Sequence, residues 1–124
     1  MKQNTSEQLN NTKLIIELPY IVIKILRNEE KAGFVNFNQF IELSITDLLE
    51  TSSTNFDTNL NLSNRIPVAI QISGQTAFRL GWHALLTNNS VSDIVSEVLG
   101  YSIPVLLDEL QAQEDYRLEV ETLE

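Results

Sequence analysis

Residues 13–49 and 67–103 of this chain align without a gap at an offset of 54, and this internal repeat limits the available folds more than any other feature. Few residues are identical, but the apolar pattern is kept. Leu14, Ile16 and Leu18 fall on Val68, Ile70 and Ile72; Leu26 falls on Leu80; Phe40, Ile41 and Ile45 fall on Ile94, Val95 and Leu99. Asn36 with Gln39 falls on Ser90 with Asp93, and each is a pair, three apart, of the kind that starts a helix.

Within the first copy, residues 13–18 alternate, with Leu14, Ile16 and Leu18 on one face and Lys13, Ile15 and Glu17 on the other, the period of a strand buried on one side. Pro19 ends that strand and suits the first residue of a helix. A helix is expected over Tyr20 to Lys31, with Val22, Ile23 and Leu26 facing inward. The β-branched run from Tyr20 to Ile25 leaves a strand continuing around Pro19 as the competing reading. Gly33 suits a helix stop, and a second helix is expected from about Asn38 to Leu49, its apolar stripe made by Phe40, Ile41, Ile45, Leu48 and Leu49. Residues 50–66 read as a linker. The second copy predicts a strand over Val68 to Ile72, a turn at Ser73 and Gly74, and a helix over about Gln75 to Leu86. A further helix is expected over about Val91 to Ser102, closed by Pro104. Past Pro104 the chain can form a helix through Leu106, Leu107 and Leu110 before it becomes acidic and frays, so residues 1–12 read as a mobile arm and 107–124 as an acidic tail, flanking one domain over 13–106.

At 124 residues the chain is long enough for one core. Its N-terminus has no apolar stretch of signal-peptide type, so the expected location is cytoplasmic. Cysteine is absent, which removes disulfides, thiolate nucleophiles and cysteine zinc sites. The Asn-x-Ser/Thr matches at Asn4, Asn10, Asn61 and Asn88 read as chance in an Asn-rich chain. The net charge of −9 is uneven: residues 104–124 contribute −6, through seven carboxylates against Arg117 alone. Such a balance argues against gripping nucleic acid with the whole surface.

No catalytic constellation is visible in the sequence, so the chain is not expected to be an enzyme, and no catalytic, metal or cofactor residues are assigned. His83, the single histidine, lies beside Trp82 in a helical stretch and reads as a packed or half-exposed helix residue. Glu114, Asp115, Glu119 and Glu121 match no calcium-loop spacing and read as a solvated acidic tail. Phe34, Phe37 and Phe40 read as core or staple residues around a helix start, with an exposed partner-binding patch as the alternative, and Lys24, Arg27 and Lys31 as a solvated helix face, with a nucleic-acid patch as the alternative.

A strand, a proline-type turn, a helix, a break and a second helix, twice over, resemble the ribbon-helix-helix family of Arc/MetJ-type DNA-binding proteins. The pieces that carry the resemblance are LIIELP at 14–19 and the helix starts NFNQFI at 36–41 and SVSDIV at 90–95. It implies a mainly α fold with one short two-stranded antiparallel β-ribbon, closed within the chain as a tandem pseudo-dimer that stands alone or pairs with another. It further implies ribbon side chains in the DNA major groove and helix N-termini on phosphates. Carried over by position, the ribbon set is Lys13, Ile15, Glu17, Pro67, Ala69 and Gln71, and the phosphate set is Asn36, Phe37, Asn38, Ser90, Val91 and Ser92. Lys13 and Gln71 suit base reading; Ile15 and Ala69 offer only apolar contact, and Glu17 repels phosphate. Two functions follow as expectations: a non-enzymatic transcriptional regulator that binds double-stranded DNA, or a protein-interaction module, adaptor or antitoxin-like inhibitor, that keeps the fold without the DNA and uses its acidic tail and exposed apolar residues.

Overall fold

The computed structural model describes residues 11–51 and 63–123, so most of the expected arm, most of the linker and Glu124 lie outside the described residues. Strands β1 (Thr12–Pro19) and β2 (Arg65–Ile72) form one antiparallel two-stranded sheet. Helices α1 (Tyr20–Lys31) and α2 (Phe37–Thr51) follow the first strand, and α3 (Gly74–Thr87) and α4 (Val91–Leu123) follow the second. The order strand, helix, helix therefore occurs twice in a mainly helical chain.

The register pairs Lys13 with Gln71, Ile15 with Ala69, and Glu17 with Pro67. Alternation turns Leu14, Ile16 and Leu18 inward together with Val68, Ile70 and Ile72, and the apolar layer closes on the helices. The second strand begins at Arg65, three residues earlier than the sequence predicts. Pro67 disguises the alternation Ile66, Val68, Ile70, Ile72, yet it costs no ladder bond. Opposed residues in an antiparallel pair turn their backbone groups the same way, and the N–H of Glu17 points away from β2, onto Ser92.

Residues Tyr20 to Lys31 are helical, which settles the competition with a continuing strand. Pro19, at φ −56°, sits immediately before the helix, and the spacing of Val22 and Leu26 puts both on one buried face. The helix stops at Gly33, where φ is +85°: the N–H groups of Gly33 and Phe34 donate to the carbonyls of Glu30 and Glu29. Asn88, at φ +57°, ends α3 in the same way, with Asn88 and Asn89 donating to Leu85 and Ala84. Both predicted helix starts are capped through side chains. Asn36 Oδ1 accepts from the Gln39 N–H at 3.0 Å, and Ser90 Oγ accepts from the Asp93 N–H at 3.0 Å.

Helices α2 and α4 pack on each other, and each also crosses to the strand of the other half, α2 to β2 and α4 to β1. The core is consequently shared: Leu18, Val22, Leu26, Phe37, Ile41 and Ile45 from the first half close against Ile70, Ile72, Leu80, Val95, Leu99 and Ile103 from the second. Burying each such side chain stabilises the fold by about 1.5–3 kcal/mol.

Contrary to expectation, Pro104 does not close the last helix. α4 runs unbroken from Val91 to Leu123 with Pro104 inside it. Proline there has no N–H to donate one turn back, but Ile103 is fully buried and Leu106 and Leu107 pack partly on the core, so tertiary contacts carry the helix across it. From Gln111 to Val120 every residue is exposed, and the pairs Gln111–Asp115 and Glu114–Arg117 lie along the surface.

Candidate interaction face of the ribbon

Strand parity places Lys13, Ile15 and Glu17 on the outer face of the ribbon beside Gln71, Ala69 and Pro67. All six are exposed, and Ile15 at the centre is 74% exposed. The structure thus brings the ribbon residues read from the sequence together as three cross-strand pairs. Their charges cancel, one lysine against one glutamate. Arg65 extends the same face by parity, at a position that the polar run before it marks as linker in the sequence. Its guanidinium is bound to the Asp93 carboxylate, which this hydrogen bond, with a second from Ser90, holds below the ordinary carboxylate range.

The helix N-termini flank this face, tied to it by two matching bonds. The Glu17 N–H donates to Ser92 Oγ at 2.9 Å, and the Gln71 N–H donates to Asn38 Oδ1 at 2.9 Å. Gln71 is the repeat equivalent of Glu17, and Ser92 that of Asn38, each 54 residues on. Asn38 and Ser92, read from the sequence as phosphate-holding positions, therefore satisfy two of the outward backbone donors of the ribbon. Asn36 and Ser90 cap their own helices; Val91 is half-buried and Phe37 almost wholly buried, at 1% exposure.

The start of α2 already holds an anion. The Phe37 N–H donates to Glu30 Oε2 at 2.9 Å, while Arg27 hydrogen-bonds Glu30 Oε1 at 2.9 Å and lies 3.7 Å over the Phe37 ring. The backbone bond from Phe37, then the Arg27 bond, hold the Glu30 carboxyl below its ordinary range. Ala84 stands at the repeat position of Glu30, so the start of α4 has no equivalent carboxylate and carries Asp93 in its first turn. Sequence alone does not reveal the Glu30 contact, since seven residues and a turn separate it from Phe37.

A second carboxylate ties the halves together. Glu42 on α2 accepts from the Ser73 N–H at 3.1 and 3.2 Å and from Thr76 Oγ1 at 2.9 Å, at the start of α3. Burial pushes its carboxyl up, but the hydrogen bonds from Ser73 and Thr76 outweigh that and leave it lowered. The repeat counterparts of Ser73, Thr76 and Glu42 are Pro19, Val22 and Ser96. Where Pro19 and Val22 stand in place of the polar pair, Ser96 Oγ is buried without a hydrogen-bond partner among the described residues.

His83 lies half-buried in a groove with Leu48, Thr87, Asn89 and Glu97. Among the described residues no three His, Asp or Glu side chains converge as metal ligands, and no single helix is long and apolar enough to cross a membrane. Compared with family models, curated proteins and solved structures, the chain shows no match.

Proposed function

We propose that this chain is a tandem ribbon-helix-helix-like domain, a pseudo-dimer closed within one polypeptide, whose ribbon face binds a protein partner in place of DNA. Two relations support the pseudo-dimer. At the middle of the ribbon Ile15 pairs with Ala69, its own repeat equivalent, as a two-fold axis through that pair requires. The Glu17–Ser92 and Gln71–Asn38 bonds are exchanged by the same axis.

The observation that favours a protein partner is the Glu30 carboxylate on the Phe37 N–H. In the DNA-binding reading a phosphate takes that place, and the carboxylate already fills the donor and engages the Arg27 cation beside it. The ribbon adds no compensating charge, and Ile15, Ala69 and Pro67 make its middle apolar with Lys13, Glu17 and Gln71 as a polar rim, the arrangement of a protein interface. The acidic, exposed end of α4 offers such a partner a second contact, in the manner of an adaptor or inhibitor.

The DNA-regulator reading retains one support: Lys13 and Gln71, the two side chains suited to base edges, lie opposite each other on the outer face. Titrating the chain into labelled random-sequence duplex across a salt series separates the two readings. The proposal expects no binding even at low salt; binding that weakens steeply as salt rises would replace it with the regulator.

A further inference from the structure

Helix α3 carries four large apolar side chains outward: Phe78 is 67% exposed, Trp82 50%, Leu85 71% and Leu86 77%. Their spacing puts them along one side of the helix. The repeat supplies an internal control, because the positions 54 residues earlier are Lys24, Asn28, Lys31 and Ala32. The fold thus accepts polar residues at three of these four places in one half, and the apolar side of α3 is not a requirement of the core.

We infer that this face of α3 is a self-association surface, covered by α3 of a second copy of the chain about a two-fold axis near Gly81. In an isologous contact each side chain meets the same patch, so the patch must tolerate itself electrostatically. In a chain of net charge −9, α3 contains no carboxylate and a single charged residue, Arg79. Ala77 and Gly81 lie one turn apart beside the aromatic pair, and a Cβ at Gly81 would meet nothing within 4 Å, leaving room for a second helix to approach closely. Phe78 and Trp82 stand edge to face, 6.4 Å between ring centres, as a pre-formed wall. With aromatic side chains burying about 150–250 Å² each, the four residues cover roughly 500 Å² per copy, near the lower bound for a specific contact.

Other occupants fit less well. The exposed end of α4 from a second copy sets Tyr116 and Val120 beside Asp115 and Glu119, with Leu118 on the opposite side, so among the described side chains it offers one apolar pair on an acidic surface. Helices that lie on a lipid surface are rich in lysine and arginine, and α3 has one arginine. The inference does not depend on what the ribbon binds.

Trp82 is the only tryptophan and reports on its own face. Sedimentation equilibrium of the full chain should give twice the chain mass at high micromolar concentration. On dilution to low nanomolar, Trp82 emission should shift to the red as the mass halves. The variant F78K/W82N/L85K, which installs the residues found at positions 24, 28 and 31, should keep the circular dichroism spectrum and weaken association by about a hundredfold or more. A single-copy mass throughout the range would overturn the inference, as would a variant that associates like the wild type. A Trp82 blue shift that needs anionic lipid vesicles would overturn it in favour of a membrane surface.

Discussion

The backbone N–H of Glu17 donates to Ser92 Oγ at 2.9 Å across 75 residues of sequence, and the bond recurs in the other half between Gln71 and Asn38. These bonds fix the helix starts against the ribbon and satisfy donors that a two-stranded sheet would otherwise leave to water.

S92A and N38A should each destabilise the fold by about 1 kcal/mol, lowering the melting temperature by roughly 3–5 °C in a domain of this size. The two bonds lie four residues apart along the ribbon, about 13 Å, so the double variant should show the sum. Thermal unfolding of the three variants checks this, and a double variant no worse than either single one would mean the bonds are not independent.

Glu42 gives the fold a specific acid sensitivity. Its carboxyl titrates lower in the folded chain than its ordinary value of 4.5, so the unfolded chain takes up the proton first as pH falls. The stabilisation is therefore complete above that value and is lost as pH drops through the folded value. E42Q should cost about 1–2 kcal/mol at neutral pH, and its melting temperature should converge on that of the wild type in acid. Melting curves of both proteins from pH 7 to pH 3 test the convergence; a constant gap would exclude Glu42 as the titrating group.

Pro104 sits inside α4 with no N–H to contribute. P104A restores a donor and a better helix former, and should raise stability by about 1 kcal/mol or more. A lower melting temperature in that variant would mean that the pyrrolidine ring itself is needed for packing beside Ile103 and Leu107.

Much of the architecture was legible in the sequence because the repeat carries it. The alternation at Leu14, Ile16 and Leu18, its echo at Val68, Ile70 and Ile72, and the starts at Asn36 and Ser90 all depend on local chemistry, and local chemistry survives without tertiary information. Three features depend on contacts between distant residues and were not legible. Pro104 reads as a helix stop, and only the burial of Ile103 shows why the helix continues. Arg65 reads as linker, and its place on the ribbon follows from the pairing with Pro19. The candidate face was legible as a set of residues but not as a balance of charge, since the Glu30 contact with Phe37 is made across a turn and the Arg65 contact with Asp93 across 28 residues from strand to helix.

On the proposed reading, the ribbon face keeps the arrangement of a DNA-binding ribbon with the charge of a protein-binding one. Fluorescence anisotropy with a labelled duplex at low salt tests it most directly, comparing the wild type with the double variant E17R/E30Q. The account predicts no binding by the wild type and salt-sensitive binding by the variant, which gains a cation on the ribbon and loses the carboxylate at the start of α2. Binding by the wild type would contradict the assignment to a protein partner, and silence from the variant would contradict the geometry.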